Sequence, residues 1–274
     1  MAQTPNGGQN GFGAVFEITP LGEFTTLASL NFSDGFRPLG GVTFGPDGSL
    51  YGLTSEYEIS IFKVTPDGTL STVYDIGPGS FIIGNVGVTF APDGTFYGTA
   101  TFVGSNGNGS VYRLDTNGVF TTLYSFEATT NGTNYRGGQP FAGLTWGPDG
   151  NLYGTTYIGE SYTDGTVFRI TTNGVFTALL SFSGDNGANP AATMTLGPDG
   201  AMYGTTVNGG NDGTVFRLTT NGDITTLVNF LDYVDGAAPM AGVIFGPDGN
   251  MYETTSGGGG GNDGTISSSL PMEC

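Results

Sequence analysis

Residues 142–182 read AGLTWGPDGNLYGTTYIGESYTDGTVFRITTNGVFTALLSF. This stretch breaks into four short runs rich in Thr, Val, Phe, Tyr and Leu, the residues that suit a pleated, half-buried strand. AGLTW is followed by a Gly-Pro-Asp-Gly turn, NLYGTT by a longer loop, GTVFRIT by a Thr-Asn-Gly turn, and VFTALLSF closes the unit. Asp-Gly and Asn-Gly tips between such runs mark tight hairpins, because glycine accepts the positive φ those turns need. No run keeps a 3.6-residue apolar period, so essentially no helix is expected.

The unit recurs. Gly45-Pro46-Asp47-Gly48 is matched by Ala91-Pro92-Asp93-Gly94 and by the tetrapeptides beginning at Gly147, Gly197 and Gly246, at spacings of 46, 56, 50 and 49 residues. GTVFRITTNG at 165–174 returns as GTVFRLTTNG at 213–222, with looser copies at 109–118, 60–68 and 13–22. Four strands per period, repeated five times, is the arithmetic of a five-bladed β-propeller, whose closed ring leaves no long free sheet edge. A β-solenoid is the alternative, but its rungs are shorter and lack two hairpin tips per repeat. The expected domain spans 1–266, with repeats at about 40–74, 86–126, 142–182 and 192–230. A fifth blade is expected to join 241–255 with 13–32, so that N- and C-terminal strands share it, leaving 267–274 as a loose tail.

Composition narrows the function. Of 274 residues, 51 are Gly; Lys and Arg number 6 against 24 Asp and Glu, a net charge of −18, with no His and one Cys. Zinc sites of the Cys/His kind and His-dependent triads are excluded. So is a cationic surface for nucleic acid, and no apolar run is long enough to insert a helix in a membrane. Eleven of the 16 Asp precede Gly, so much of the acidity is turn chemistry.

The phrases GTVFRLTTNG, TTLYSF, GANPAATMTLGPDG and LYGTT resemble those of a bacterial tandem-repeat family of secreted or surface proteins. The xPDGxxYG turn is more loosely similar to NHL-type and streptogramin-lyase-like propellers. The resemblance implies the propeller fold and export, and brings no catalytic residues. Residues 1–12 have neither a basic nor an apolar signal region. The location that the resemblance implies is secreted or cell-surface, with any signal peptide removed.

Sites are sought in departures from the repeat and in long loops. The runs before Pro-Asp-Gly (41–44, 86–90, 142–146, 192–196, 241–245) contain no acid, which argues against a glycosidase carboxylate pair there. Tyr51, Tyr97, Tyr153, Tyr203 and Tyr252 share one repeat position and read as packing. Loop 127–141 offers Asn131, Asn134, Tyr135, Arg136 and Gln139, and loop 157–164 offers Tyr157, Glu160 and Tyr162. Arg37, Asp232 and Tyr233 are further candidates. Aromatic planes and amides of this kind suit a sugar. Glu253 replaces the Gly of LYGTT, and Glu17 replaces the Arg of VFRL. In the shared blade these two would lie close enough to bind a cation or do acid work. With Asp212 and Asp263 in Gly-Asn-Asp-Gly loops, they are the candidates for a structural calcium; no other cofactor is expected. The leading function is a non-catalytic, lectin-like binding module whose partner is a glycan or another extracellular protein. A self-assembling surface protein and a polysaccharide lyase or hydrolase are the alternatives.

Overall fold

The structure is a computed structural model and describes residues 2–31, 37–54, 59–77, 88–127, 136–159, 164–261 and 263–269. The fold is an all-β propeller of antiparallel sheets, five of them four-stranded and one three-stranded. Asp232–Asp235 forms the one described α-helical turn, α1. The residues fall into two compact units, Met1–Ser125 and Phe126–Cys274, each holding three sheets.

In the first unit, β1 (Ala2–Thr4), β2 (Ala14–Ile18) and β3 (Phe24–Ser29) form the three-stranded sheet. The strands β4 (Pro38–Phe44), β5 (Leu50–Thr54), β6 (Ile59–Val64) and β7 (Leu70–Gly77) form the next. The third contains β8 (Thr89–Phe90), β9 (Phe96–Ala100), β10 (Ser110–Leu114) and β11 (Phe120–Ser125). In the second unit, β12 (Thr145–Trp146), β13 (Leu152–Thr156), β14 (Thr166–Ile170) and β15 (Phe176–Ser181) pair in order. So do β16 (Thr195–Leu196), β17 (Met202–Thr206), β18 (Thr214–Leu218) and β19 (Ile224–Asn229). The last sheet pairs β22 (Met251–Gly257) with β20 (Ala237–Pro239), β21 (Ile244–Phe245) and β23 (Ile266–Ser269).

One register recurs. Phe168 lies opposite Gly154 and Phe216 opposite Gly204, as Tyr112 does Gly98 and Phe62 does Gly52. A Cβ built on Gly154 or Gly204 would stand 2.5 Å from Cζ of its partner ring, so the ring occupies the space a side chain would need. The same side of Gly204 also receives Met194 Cγ at 3.0 Å. These rings are fully buried, as are the second strands β5, β9, β13 and β17 along their whole length. A bulge follows in each blade, between Val and the aromatic of the third strand, at Val111/Tyr112, Val167/Phe168 and Val215/Phe216. It sharpens the local twist at the same place each time. The bulge at Val15/Phe16 shows that β2 and β3 are the third and fourth strands of the same unit.

The Pro-Asp-Gly turns are held by their Asp. Asp47, Asp149, Asp199 and Asp248 each accept the N–H two residues on with Oδ1, and the Tyr hydroxyl four residues on with Oδ2. Tyr203 donates to Asp199 at 3.1 Å and Tyr153 to Asp149 at 2.9 Å. A cation from the third strand joins three of them: Lys63 Nζ lies 2.8 Å from Asp47, Arg217 2.6 Å from Asp199 and Arg169 3.7 Å from Asp149. Burial opposes ionisation of Asp199, yet Arg217, the Ala201 N–H and Tyr203 hold its carboxyl below the usual range. Burial together with Asp149 pushes the Tyr153 hydroxyl up to about 12. Glu17 fits this scheme: it stands at the Arg position in the sheet that has no Pro-Asp-Gly hairpin among its described strands, so no Asp there calls for a cation.

The expected ring closure is corrected. β2 and β3 do not complete the sheet of β22; β1 pairs with β2, Ala2 opposite Phe16, and β23 takes the edge of β22. Residues 267–269 are therefore strand rather than loose tail. The Ser267-Ser268-Ser269 run reads as decay of Phe-Arg-Leu, but a ladder needs N–H and C=O groups, not those side chains. Locally, Thr255 and Thr265 bond through their hydroxyls at 2.9 Å, as Thr206 and Thr214 do at 2.8 Å. A pairing closed by a short loop fixes less chain than one spanning the whole sequence.

Asp199→Asn is expected to lower stability by about 1 kcal/mol, the loss of a charge-assisted contact on a partly exposed group. Because these carboxyls titrate lower when folded, their contribution is present above the ordinary carboxylate pKa and disappears as pH falls through the folded values. Urea denaturation of wild type and variant should show the gap present at neutral pH and closing as pH falls below the ordinary aspartate range.

Candidate functional site

Glu253 sits on β22 where the other second strands carry glycine, directly opposite Ser267 on β23. The swap is paired: where Gly204 faces Phe216, Glu253 faces Ser267. The carboxylate arm enters the volume that the ring fills elsewhere, and it does not fill all of it. A cavity of about 410 Å³ remains, walled by Val215 of β18, by Val228 and Phe230 at β19, and by Met251 and Glu253 of β22. Thr265, Ser267 and Ser268 border it with hydroxyls, and Asp235 stands at its wall.

The walls are apolar for a structural reason. Val215, Phe230, Val243 and Met251 belong to one buried cluster that packs β18 and β19 against the last sheet. Burial along β22 alternates, with Met251, Glu253 and Thr255 buried and Thr254 and Ser256 exposed. Glu253 therefore points to the same side as Met251, towards that cluster. It is 7 % exposed, and neither carboxylate oxygen has a hydrogen-bond partner among the described residues. Burial alone pushes its pKa up to about 7. A charged group in this position is poorly solvated and lacks the partners that buried charges ordinarily have.

The loop candidates fare differently. Asn131, Asn134, Tyr135, Glu160 and Tyr162 lie outside the described residues. Asp232 and Tyr233 open the helical turn α1. Arg136 pairs with Glu127 at 3.6 Å with both side chains more than half exposed, a contact of little energetic weight. Gln139 and Tyr157 are brought together: the Tyr157 N–H donates to the Gln139 carbonyl at 3.0 Å, and the Tyr157 ring packs edge-on to Phe141 at 4.7 Å.

Arg37 and Gln139 also hold a special backbone position. Arg37, Gln139, Asn189 and Ala238 all have left-handed φ between 51° and 56°, and each precedes a proline. The Arg37, Asn189 and Ala238 N–H groups reach back to Phe12, Asp164 and Asp212 carbonyls. The motif ties each first strand to the preceding loop, whatever side chain it carries.

The metal candidates do not assemble. Glu17 and Glu253 lie in different sheets, because the shared blade that would have joined them does not form. Asp263 is exposed and Asp212 half-buried. Among the described residues no three His, Cys, Asp or Glu side chains are grouped to hold a metal ion. What sequence reasoning missed is Ser267 and the cavity. The signal lay in reading Glu253 and Ser267 as one exchange, which requires the register of β23.

With this geometry in place, comparison places the chain. The Gloeobacter/Verrucomicrobia repeat matches residues 2–138 and 87–271. The chain belongs to this repeat family. No protein of curated function matches it. Among solved structures it is similar to a streptogramin B lyase at 22 % identity and TM-score 0.64, covering 95 % of this chain and 74 % of that one. A gluconolactonase from Xanthomonas campestris is similar at 14 % identity and TM-score 0.58, covering 94 % and 79 %. A luciferin-regenerating enzyme follows at 16 % identity and TM-score 0.51, covering 88 % and 76 %. At these identities the likeness carries the propeller fold.

Two outcomes follow for stability. A carboxyl whose pKa is raised by folding stabilises most at low pH and loses that contribution as pH rises through its folded value. With no His in the chain, Glu253 is the described side chain expected to titrate between about pH 5 and 7.5. Wild-type stability should fall across this window by up to about 3 kcal/mol, and Glu253→Gln should flatten the slope, read by urea melts at each pH. Separately, Ala238→Gly should keep or raise stability by up to about 1 kcal/mol, because glycine adopts its left-handed φ without penalty. Thermal unfolding checks this, and a clear fall would overturn the strain assignment.

Proposed function

We propose that this member of the repeat family is a non-catalytic binding module, with the cavity at Glu253 as its ligand site. One observation carries the reading. Four described blades in the two units join second and third strands with a glycine and a fully buried ring, so the fold does not need a buried carboxyl there. Replacing that pair with Glu253 and Ser267 lowers stability and opens space, a combination explained by a ligand that fills the cavity and meets the carboxyl. The volume lies within the range of small-molecule pockets, which pair apolar walls with few polar groups. Thr265, Ser267 and Ser268 supply hydroxyls that position a ligand but none is placed as an activated nucleophile, since that needs an adjacent base in hydrogen-bond contact.

A second reading, carbohydrate recognition on the loop face, is favoured by the Tyr157–Phe141 ring pair beside Gln139. An aromatic plane with neighbouring amides suits the C–H face and hydroxyls of a sugar. Either reading fits a secreted or surface protein. The structural calcium proposed for the Asp212 and Asp263 loops is tested in the same assay.

The experiment is ligand-induced thermal stabilisation over a panel of small molecules and soluble glycans, with and without calcium and chelator. Binding at the cavity should raise the unfolding temperature of wild type and leave a Glu253→Gly, Ser267→Phe variant unmoved, since that variant restores the glycine–ring pair. Stabilisation lost in Tyr157→Ala and kept in the double variant would move the site to the loops. No stabilisation by any compound would sink the binding reading.

A further inference from the structure

We propose that the Glu253 cavity binds a compact primary amine, its ammonium paired with the Glu253 carboxylate and its hydrocarbon body against Val215, Val228, Phe230 and Met251. The inference rests on the binding reading above and names the chemical class of its ligand. Several features converge on it.

The carboxylate oxygens are buried and unpartnered, so the strongest missing contact is a hydrogen-bond donor, and a charged donor gives about twice the strength of a neutral one. The described residues do not supply it, since neither Glu253 oxygen has a partner among them, and Lys63, Arg169 and Arg217 are paired with turn aspartates and Arg136 with Glu127. The surrounding field favours a cation, since the net charge is −18 and the other titratable group described on the cavity wall, Asp235, is also acidic. β18 and β19 face the carboxyl with Val215, Val228 and Phe230, none of which titrates.

A metal ion fits less well. Calcium takes six to eight oxygen ligands and magnesium keeps a shell of water, whereas this wall is largely valine, phenylalanine and methionine. A quaternary ammonium is recognised by a cage of aromatic rings, and Phe230 is the one ring bordering this space among the described residues. A primary ammonium can donate to Glu253, while an alkyl or aryl body replaces the missing ring of the third strand. In that sense the ligand completes the blade, filling the place that Phe216 holds in the neighbouring one.

The raised pKa of Glu253 adds a signature. Below it the carboxyl is neutral and loses its hold on the ammonium; above it the pair forms, until the amine itself deprotonates near pH 10.

The test is isothermal titration calorimetry of the full chain with 2-phenylethylamine and its neutral counterpart 2-phenylethanol, at about pH 8 and about pH 5.5. The amine is expected to bind at least about ten-fold tighter than the alcohol at the higher pH, and to lose that advantage at the lower pH and in Glu253→Gln. The Glu253→Gly, Ser267→Phe variant, which fills the cavity with a pair already present in the fold, should bind neither. Equal affinity for amine and alcohol, unchanged in Glu253→Gln but lost in the double variant, would overturn the amine proposal and leave the cavity a binding site. Absence of binding by both compounds up to roughly millimolar concentration would overturn the amine proposal, and retention of binding in the double variant would place the site elsewhere.

Discussion

The close approach of a third-strand ring to a second-strand glycine sets the geometry of every complete blade. Phe216 over Gly204, Phe168 over Gly154 and Tyr112 over Gly98 place the far end of each ring in the space a glycine side chain would need. That contact buries the largest side chains completely and leaves the second strand covered on both faces. It also explains why these strands tolerate a glycine in their interior, which ordinarily weakens a strand. The bulge that follows each ring turns the fourth strand to cover it, so the position of the ring propagates into the twist of the blade.

The turn aspartates do a second, separable job. They fix the hairpin between first and second strands, and they also receive the third-strand cation, so three strands meet at one carboxylate. Where the hairpin is missing the cation is missing too, as Glu17 illustrates. Where β23 carries Ser268 in place of arginine, Asp248 keeps its Tyr252 and Asn250 bonds without a cation. Much of the acidity of this chain is thus accounted for by local bonding, and the buried Glu253 stands apart from it. Among the described residues the Glu253 carboxyl, set in an apolar wall, meets neither a turn N–H nor a cation.

Much of the fold was legible because its determinants are local and repeated. Asp-Gly and Asn-Gly tips need positive φ, and period-2 runs of Thr, Val and Phe need a sheet; both are properties of a few adjacent residues. Reading five copies of the same phrase removed the ambiguity that one copy would leave. The site was less legible. Glu253 is visible as a departure from LYGTT, but its partner Ser267 is hidden in a run that looks like loss of pattern. The two make sense only as a pair across a ladder. Likewise the left-handed φ that Arg37 and Gln139 adopt ahead of a proline is a backbone property that side-chain chemistry does not advertise.

The sequence by itself therefore determined the strand content, the hairpin turns and the blade repeat, because each depends on residues within a few positions of one another. Tertiary structure alone decided which strand completes the last sheet, and so what faces Glu253. That choice rests on backbone groups, which every residue but proline carries in full, so the decaying side chains of 266–269 could not reveal it. The cavity follows from the same decision: an empty volume is the difference between two side chains that meet only when the ladder has formed.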